Sequence, residues 1–178
     1  MIKQNIRYHF NKPHSIIFHN LHNKNTIKLQ GSISANKFKD IILFLKKNFN
    51  LIDANIFLKK SLENKLSNKD VCISFDDGLK SQFDVALPIL DKYKVKAFFF
   101  VFTEIFNSKV SNLELFKYFR CTQFENINKF YSSFNQELQY TCNIEISKLK
   151  KKFDKLNYLT KYKFYSKNDR FFRYLRDV

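Results

Sequence analysis

The 178-residue sequence predicts an α/β fold with a parallel sheet that it opens but does not close. Three observations carry this. Apolar runs at Val71–Phe75 and Lys96–Phe102 flank a segment of helical spacing, the strand-helix-strand order that joins two parallel strands. An earlier apolar run at Ser15–His22 supplies a further strand. Beyond residue 109 the hydrophobic residues recur only at helical spacing, so no later strand is on hand to complete a sheet.

In chain order, Ser15-Ile16-Ile17-Phe18-His19-Asn20-Leu21-His22 reads as the first strand, entered after Pro13 and left through Asn23-Lys24-Asn25-Thr26. Alternation along it groups His19 with Ile17 and Leu21, and His22 falls near its end. Ser34 is an N-cap for a helix over 35–48, where Phe38, Ile41, Ile42, Leu45 and Phe49 form an apolar stripe. Asp53 caps a second helix over 54–64, with Ile56, Phe57 and Leu62 facing inward. Val71–Phe75 is a buried strand, in which Cys72 packs as a small apolar residue, and Asp76-Asp77-Gly78 is the turn that ends it. Asp84 caps a helix over 85–92, whose Pro88 lies close to the first turn, where a missing N–H is tolerated. Lys96–Phe102 is so continuously apolar that it reads as a strand buried on both faces, with Phe98-Phe99-Phe100 in the core. From 109 to 178 the stripes Leu113/Leu115/Phe116/Phe119, Ile127/Phe130/Tyr131/Phe134 and Leu149/Phe153/Leu156 predict helices. Tyr162, Phe164, Tyr165, Phe171 and Phe172, interleaved with Lys and Arg, read as the aromatic side of a helix that packs onto a missing remainder of the fold and is left partly exposed here, with contact to a nucleic acid or glycan as the alternative.

Length and a 44% hydrophobic content fit one cored domain. The formal charge of +16 is terminal: residues 1–39 carry 7 basic and no acidic side chains and 143–178 carry 11 and 4, whereas 40–107 carry 10 and 9. A solvated, lysine-rich surface accounts for it, and no nucleic-acid module accompanies it, so no nucleic-acid partner is expected. Cys72, Cys121 and Cys142 have neither the number nor the spacing of a disulfide frame or zinc clip. Met1–Phe18, with Lys3, Arg7, His9, Lys12, Pro13 and His14, lacks the apolar centre of a secretory signal, and no run of about 18 apolar residues offers a transmembrane segment. A cytoplasmic location is the expectation.

Ile73-Ser74-Phe75-Asp76-Asp77-Gly78, then Ser81-Gln82-Phe83-Asp84-Val85-Ala86-Leu87-Pro88-Ile89-Leu90, Lys92–Ala97 and Phe98-Phe99-Phe100-Val101 together resemble the polysaccharide deacetylase family, the NodB homology domain of carbohydrate esterase family four. The resemblance is contiguous over 71–103. Phe18-His19-Asn20-Leu21-His22 with Gly31-Ser32-Ile33-Ser34 is similar to the leading strand and loop of a bacterial branch, and Asn168–Asp177 is similar to a helical insertion of that branch. The resemblance implies one partial domain over 1–178: the first part of an irregular (β/α) barrel with a C-terminal helical insertion over about 109–178, and a C-terminal part missing. It implies metal-dependent hydrolysis of N- or O-acetyl groups on a glycan or a lipid-linked sugar precursor.

Such a reaction needs a water, a base for its proton and a positive centre for the oxyanion. The resemblance assigns Asp76 as general base and Asp77 as ligand of zinc or a similar divalent metal. The family completes its metal site with a downstream His-x-x-x-His and takes its acid from a later histidine. Here the only histidines are His9, His14, His19 and His22, all ahead of the aspartates. With one ligand of three, the metal is expected to be weakly held or absent and the chain weakly active or inactive. His19 and His22 are possible site neighbours with two readings: a pocket with Asp77, or packing or a hydrogen bond beside the site for His19 and a loop position for His22. The alternatives to an enzyme are a non-catalytic glycan-binding remnant and a basic nucleic-acid-associated protein.

Overall fold

The computed structural model describes residues 12–107 and 111–177; the basic N-terminal stretch with His9, and the expected start of the helical region at 109, lie outside the described residues. The chain divides into two compact units, one up to Leu115 and one from Phe116. The first contains β1 (His14–Phe18), β2 (Leu21–His22), β3 (Ile33–Ser34), α1 (Ala35–Asn48), β4 (Asn50–Leu51), α2 (Ala54–Leu62), β5 (Asp70–Phe75), a π-helical segment (Gln82–Ala86), α3 (Leu87–Lys92) and β6 (Phe98–Phe99). α4 (Asn112–Thr122) spans the division, and α5 (Ile127–Thr141), α6 (Ile146–Asp154) and α7 (Lys167–Asp177) follow.

β5 is the centre of the sheet. All six of its residues are buried, as the run of β-branched and aromatic side chains requires. β1 pairs with it in parallel from His14↔Val71 to Phe18↔Phe75. β4 pairs in parallel at the start of β5, Asn50↔Asp70 and Leu51↔Val71, and β6 at its end, Ser74↔Phe98 and Phe75↔Phe99. Since β1 fills one edge, β4 and β6 share the other. They are stitched end to end: Ala54 N–H donates to the Lys96 carbonyl at 2.9 Å, and Lys96 N–H donates to Asp53 Oδ1 at 2.9 Å. Among the described residues the sheet is mixed with helices and does not close into a barrel.

Several sequence expectations stand as written. Ser34 Oγ accepts from Lys37 N–H at 3.3 Å and starts α1, which buries Phe38, Ile42 and Leu45 against the sheet. Phe18, Phe38 and Phe75 meet with ring centroids 5.0–5.9 Å apart, each such pair contributing about 1 kcal/mol beyond its buried area. Cys72 is buried within β5.

Others are corrected. The first strand breaks at His19-Asn20: Ile17 is 57% exposed and Leu21 2%, which one alternating strand cannot deliver, and Leu21–His22 leaves to pair with Ile33–Ser34. The Asp53 side chain makes no cap bond to α2, since it is engaged with Lys96, and Ile56 and Leu62 are exposed. Asp84 is not a cap; it lies inside the π-helical segment, paired with Lys80, and α3 begins at Leu87 with Pro88 in its first turn. Only Phe98–Phe99 of the long apolar run is strand, and Phe99–Phe102 are exposed, because β5 ends at Phe75 and offers β6 no further ladder.

The second unit is helical. Phe153, Phe171 and Tyr174 form its buried cluster, with Ile146, Leu149, Tyr158 and Leu175 packed around it. Phe171 is thus a core residue, while Tyr162 and Phe164 are exposed. Ser166 and Asp169 cap α7 reciprocally, Asp169 N–H donating to Ser166 Oγ at 3.1 Å and Ser166 N–H to Asp169 Oδ2 at 3.0 Å.

Candidate active site

The carboxyl ends of β1 and β5 lie side by side, and the next residue on each is chemically active: His19 after Phe18, Asp76 after Phe75. Asp76 N–H donates to the Phe18 carbonyl at 3.3 Å, extending the ladder by one residue. His19 Nε2 then stands 3.5 Å from Asp76 Oδ2, both side chains being partly exposed. Asp77 and Gly78 both take left-handed backbone conformations, φ +74° and +60°, and turn the chain sharply away from the strand. A Cβ on Gly78 would meet Val101 Cγ1 at 3.2 Å, so glycine is favoured there by its left-handed conformation and by the close approach of Val101. The Asp77 carboxylate makes no hydrogen bond or ion pair among the described residues and is available to a ligand.

The turn is held by Gln82, which sequence reasoning passed over. Its side chain is 1% exposed. Nε2 donates to the Asp76 carbonyl at 2.6 Å and to the His19 carbonyl at 3.1 Å, and Oε1 accepts from Leu79 N–H at 3.2 Å. One amide therefore ties both strand ends to the turn. The signal was present: Gln82 lies three and four residues before Val85 and Ala86, on the buried face of the following helical segment, where a polar side chain needs partners. Beside the turn is a cleft of about 300 Å³ with mostly apolar walls, among them Phe83, Leu87, Phe99 and Val101.

His22 lies elsewhere. Ser32 Oγ gives its one hydrogen to the Leu29 carbonyl at 2.6 Å, so His22 Nδ1, 2.8 Å from that oxygen, is the donor to it. The structure brings His19 to Asp76 and leaves His22 with Ser32. Among the described residues no group of three His, Cys, Asp or Glu side chains is placed to hold a metal ion. The donors among the described residues do not by themselves fit a resident divalent metal.

The comparison with protein families falls on this turn. Residues 63–127 match polysaccharide deacetylase. This segment contains β5, Asp76, Asp77, Gln82 and the cleft, and excludes His19. No curated protein matches the chain. Among solved structures, IcaB from Ammonifex degensii aligns at 22% identity over 51% of this chain and 38% of its own, with a TM-score of 0.45. A de-N-acetylase from Aggregatibacter actinomycetemcomitans aligns at 25% identity over 49% and 36%, TM-score 0.40. The deacetylase PplD of Streptococcus pyogenes, in complex with acetate, aligns at 21% identity over 56% and 46%, TM-score 0.44. The chain thus spans less than half the length of each of these structures.

Proposed function

We propose that the Asp76-Asp77 turn belongs to a carbohydrate deacetylase, a hydrolase of N- or O-acetyl groups on a glycan, with Asp76 as general base and Asp77 as metal ligand. One observation supports this most: adjacent carboxylates at the carboxyl end of a central parallel strand, beside a cleft, inside the polysaccharide deacetylase segment. Asp76 is partly open to solvent and has His19 at one oxygen, an arrangement in which it accepts a proton from water. Because the described donors do not form a metal site, the reading includes an incomplete centre, and the 178-residue chain by itself is inactive or nearly so. The substrate we assign is a glycan or a lipid-linked sugar precursor, handled in the cytoplasm. The same shortage of donors favours a second reading, a glycan-binding remnant without turnover.

Two measurements on the chain test this. An acetylated oligosaccharide is expected to shift the amide resonances of Asp76–Leu79 and Phe99–Val101; a panel of acetylated glycans that leaves them unmoved overturns both readings. Acetate release, with or without added zinc or cobalt, is expected not to exceed the blank. Release that disappears in Asp76→Asn would show a completed centre and remove the remnant reading.

A further inference from the structure

The loop between α6 and α7 in the second unit carries the sequence Lys161-Tyr162-Lys163-Phe164-Tyr165. Its three rings cluster, Phe164 to Tyr165 at 4.4 Å, Tyr162 to Phe164 at 5.8 Å and Tyr162 to Tyr165 at 6.0 Å. The cluster is built on cations: the Arg173 guanidinium lies 4.2 Å from the Tyr165 centroid, and Lys161 Nζ 5.0 Å from that of Tyr162. Phe164 is nonetheless 75% exposed. A large apolar ring is thus held out in water by ordered neighbours, with Lys161 and Lys163 close before it in the chain.

Charge narrows the partner. Residues 143–178 hold 11 basic and 4 acidic side chains, and every acid is engaged. Glu145 pairs with Lys148, Asp154 with Lys167 and Asp177 with Arg176, while Asp169 bonds Ser166 and Tyr131. Lys161 and Lys163 form no ion pair among the described residues, whereas Arg173 acts electrostatically on Asp177, so the cations the loop itself offers are the two lysine ammonium groups. An anionic surface fits, and ring geometry distinguishes a lipid surface from a nucleic acid. Base stacking needs open, flat ring faces. Here cations sit over Tyr165 and Tyr162, and the three rings are inclined to one another by 55–67°, so what projects is an apolar tip rather than a platform. Aromatic tips flanked by lysines suit the headgroup boundary, where the ring enters the acyl region and the ammonium groups remain among phosphates.

We propose that this loop seats the protein on an anionic lipid surface, with Phe164 inserted and Lys161 and Lys163 on the headgroups. The chain contains no tryptophan, so Phe164→Trp introduces a single reporter at an exposed position. With vesicles of 30% phosphatidylserine in phosphatidylcholine its emission is expected to shift to the blue, and with phosphatidylcholine alone to remain unshifted. In co-sedimentation the full chain is expected to bind the anionic vesicles and to weaken as salt rises. Each lysine near such a surface strengthens binding about fivefold, so Lys161→Glu with Lys163→Glu is expected to lose at least about 25-fold, and Phe164→Ser about tenfold. An unshifted emission on anionic vesicles, equal binding to both vesicle types, or a Phe164→Ser variant that binds like the parent would each overturn the proposal. So would single-stranded RNA that binds more tightly than the vesicles and loses affinity in the same variants, which would make the loop a nucleic-acid contact.

Discussion

Gln82 shows how much of a turn can depend on one buried amide. Replacing it with leucine leaves the carbonyls of His19 and Asp76 and the Leu79 N–H without their partner in a buried position. At about 1–3 kcal/mol per stranded group, partly relieved by water, Gln82→Leu is expected to cost about 3 kcal/mol, read from urea unfolding. Faster exchange of the Leu79 amide should accompany it; an unchanged midpoint would mean that the turn is held by something else. Asp77 makes the opposite case. Its left-handed backbone is unfavourable for a residue with a Cβ, so Asp77→Gly is expected to stabilise the fold by about 0.5–1 kcal/mol while removing the proposed metal-ligand carboxylate. A loss of stability in that variant would show that the carboxylate has a structural partner. The two aspartates were legible in the sequence because a turn directly after a buried strand announces itself. The place of His19 beside Asp76 was one of two readings the sequence left open, while the break in the first strand was concealed by apolar alternation. Gln82 was hidden by chemistry common to surface helices.

Among the elements, β5 carries the clearest pH dependence. Asp70 opens it and is 1% exposed. Burial raises its carboxyl, but bonds from Ser67 N–H, Lys60, Ser67 Oγ and Asn50 outweigh that and hold it far below the usual carboxylate range. A carboxyl lowered on folding stabilises the protein above its unfolded value, near pH 4, and loses that contribution as pH falls below it. Asp70→Asn is therefore expected to cost about 3 kcal/mol at pH 7 and to flatten the stability profile below pH 4; a variant with the parent's acid profile would refute this. Ser34→Ala should cost about 1 kcal/mol by leaving the first turn of α1 uncapped. α1, β5 and the helical nature of 112–177 were readable because each is a long periodic or uniformly apolar pattern. Asp53 and Asp84 were misplaced for a shared reason. An acid before a helix is a good cap in isolation, but another donor competes for its oxygens: the Lys96 N–H across the sheet for Asp53, and for Asp84, already inside the helical segment, the Lys80 ammonium one turn earlier. The run Lys96–Phe102 was overread because hydrophobicity reports what prefers to be buried, not how far a neighbouring strand extends.

At the scale of the whole molecule, each unit has its own buried cluster, one around β5 and one around Phe153, Phe171 and Tyr174. Phe171→Ala is expected to destabilise the second unit by about 3–5 kcal/mol and to leave amide protection in β5 unchanged, measured by hydrogen exchange; loss of protection in β5 would show a common core. No helix among the described residues is long and apolar enough to cross a membrane, so contact with lipid through Phe164 would be peripheral. A surface that gathers lipid-linked sugars would then bring the proposed substrate to the chain in two dimensions. The junction of β4 with β6 has its own reach. Asp53 holds the start of β6 by the Lys96 amide, and Phe99 and Val101 of that segment wall the cleft beside Asp77. The Asp53 carboxylate works as a mooring line: cut it, and the wall of the cleft formed by Phe99 and Val101 is expected to drift although no group near Asp76 and Asp77 has been touched. Random mutagenesis that scores glycan capture should accordingly return position 53 among its hits, at a site that inspection of the Asp76-Asp77 turn alone would pass by.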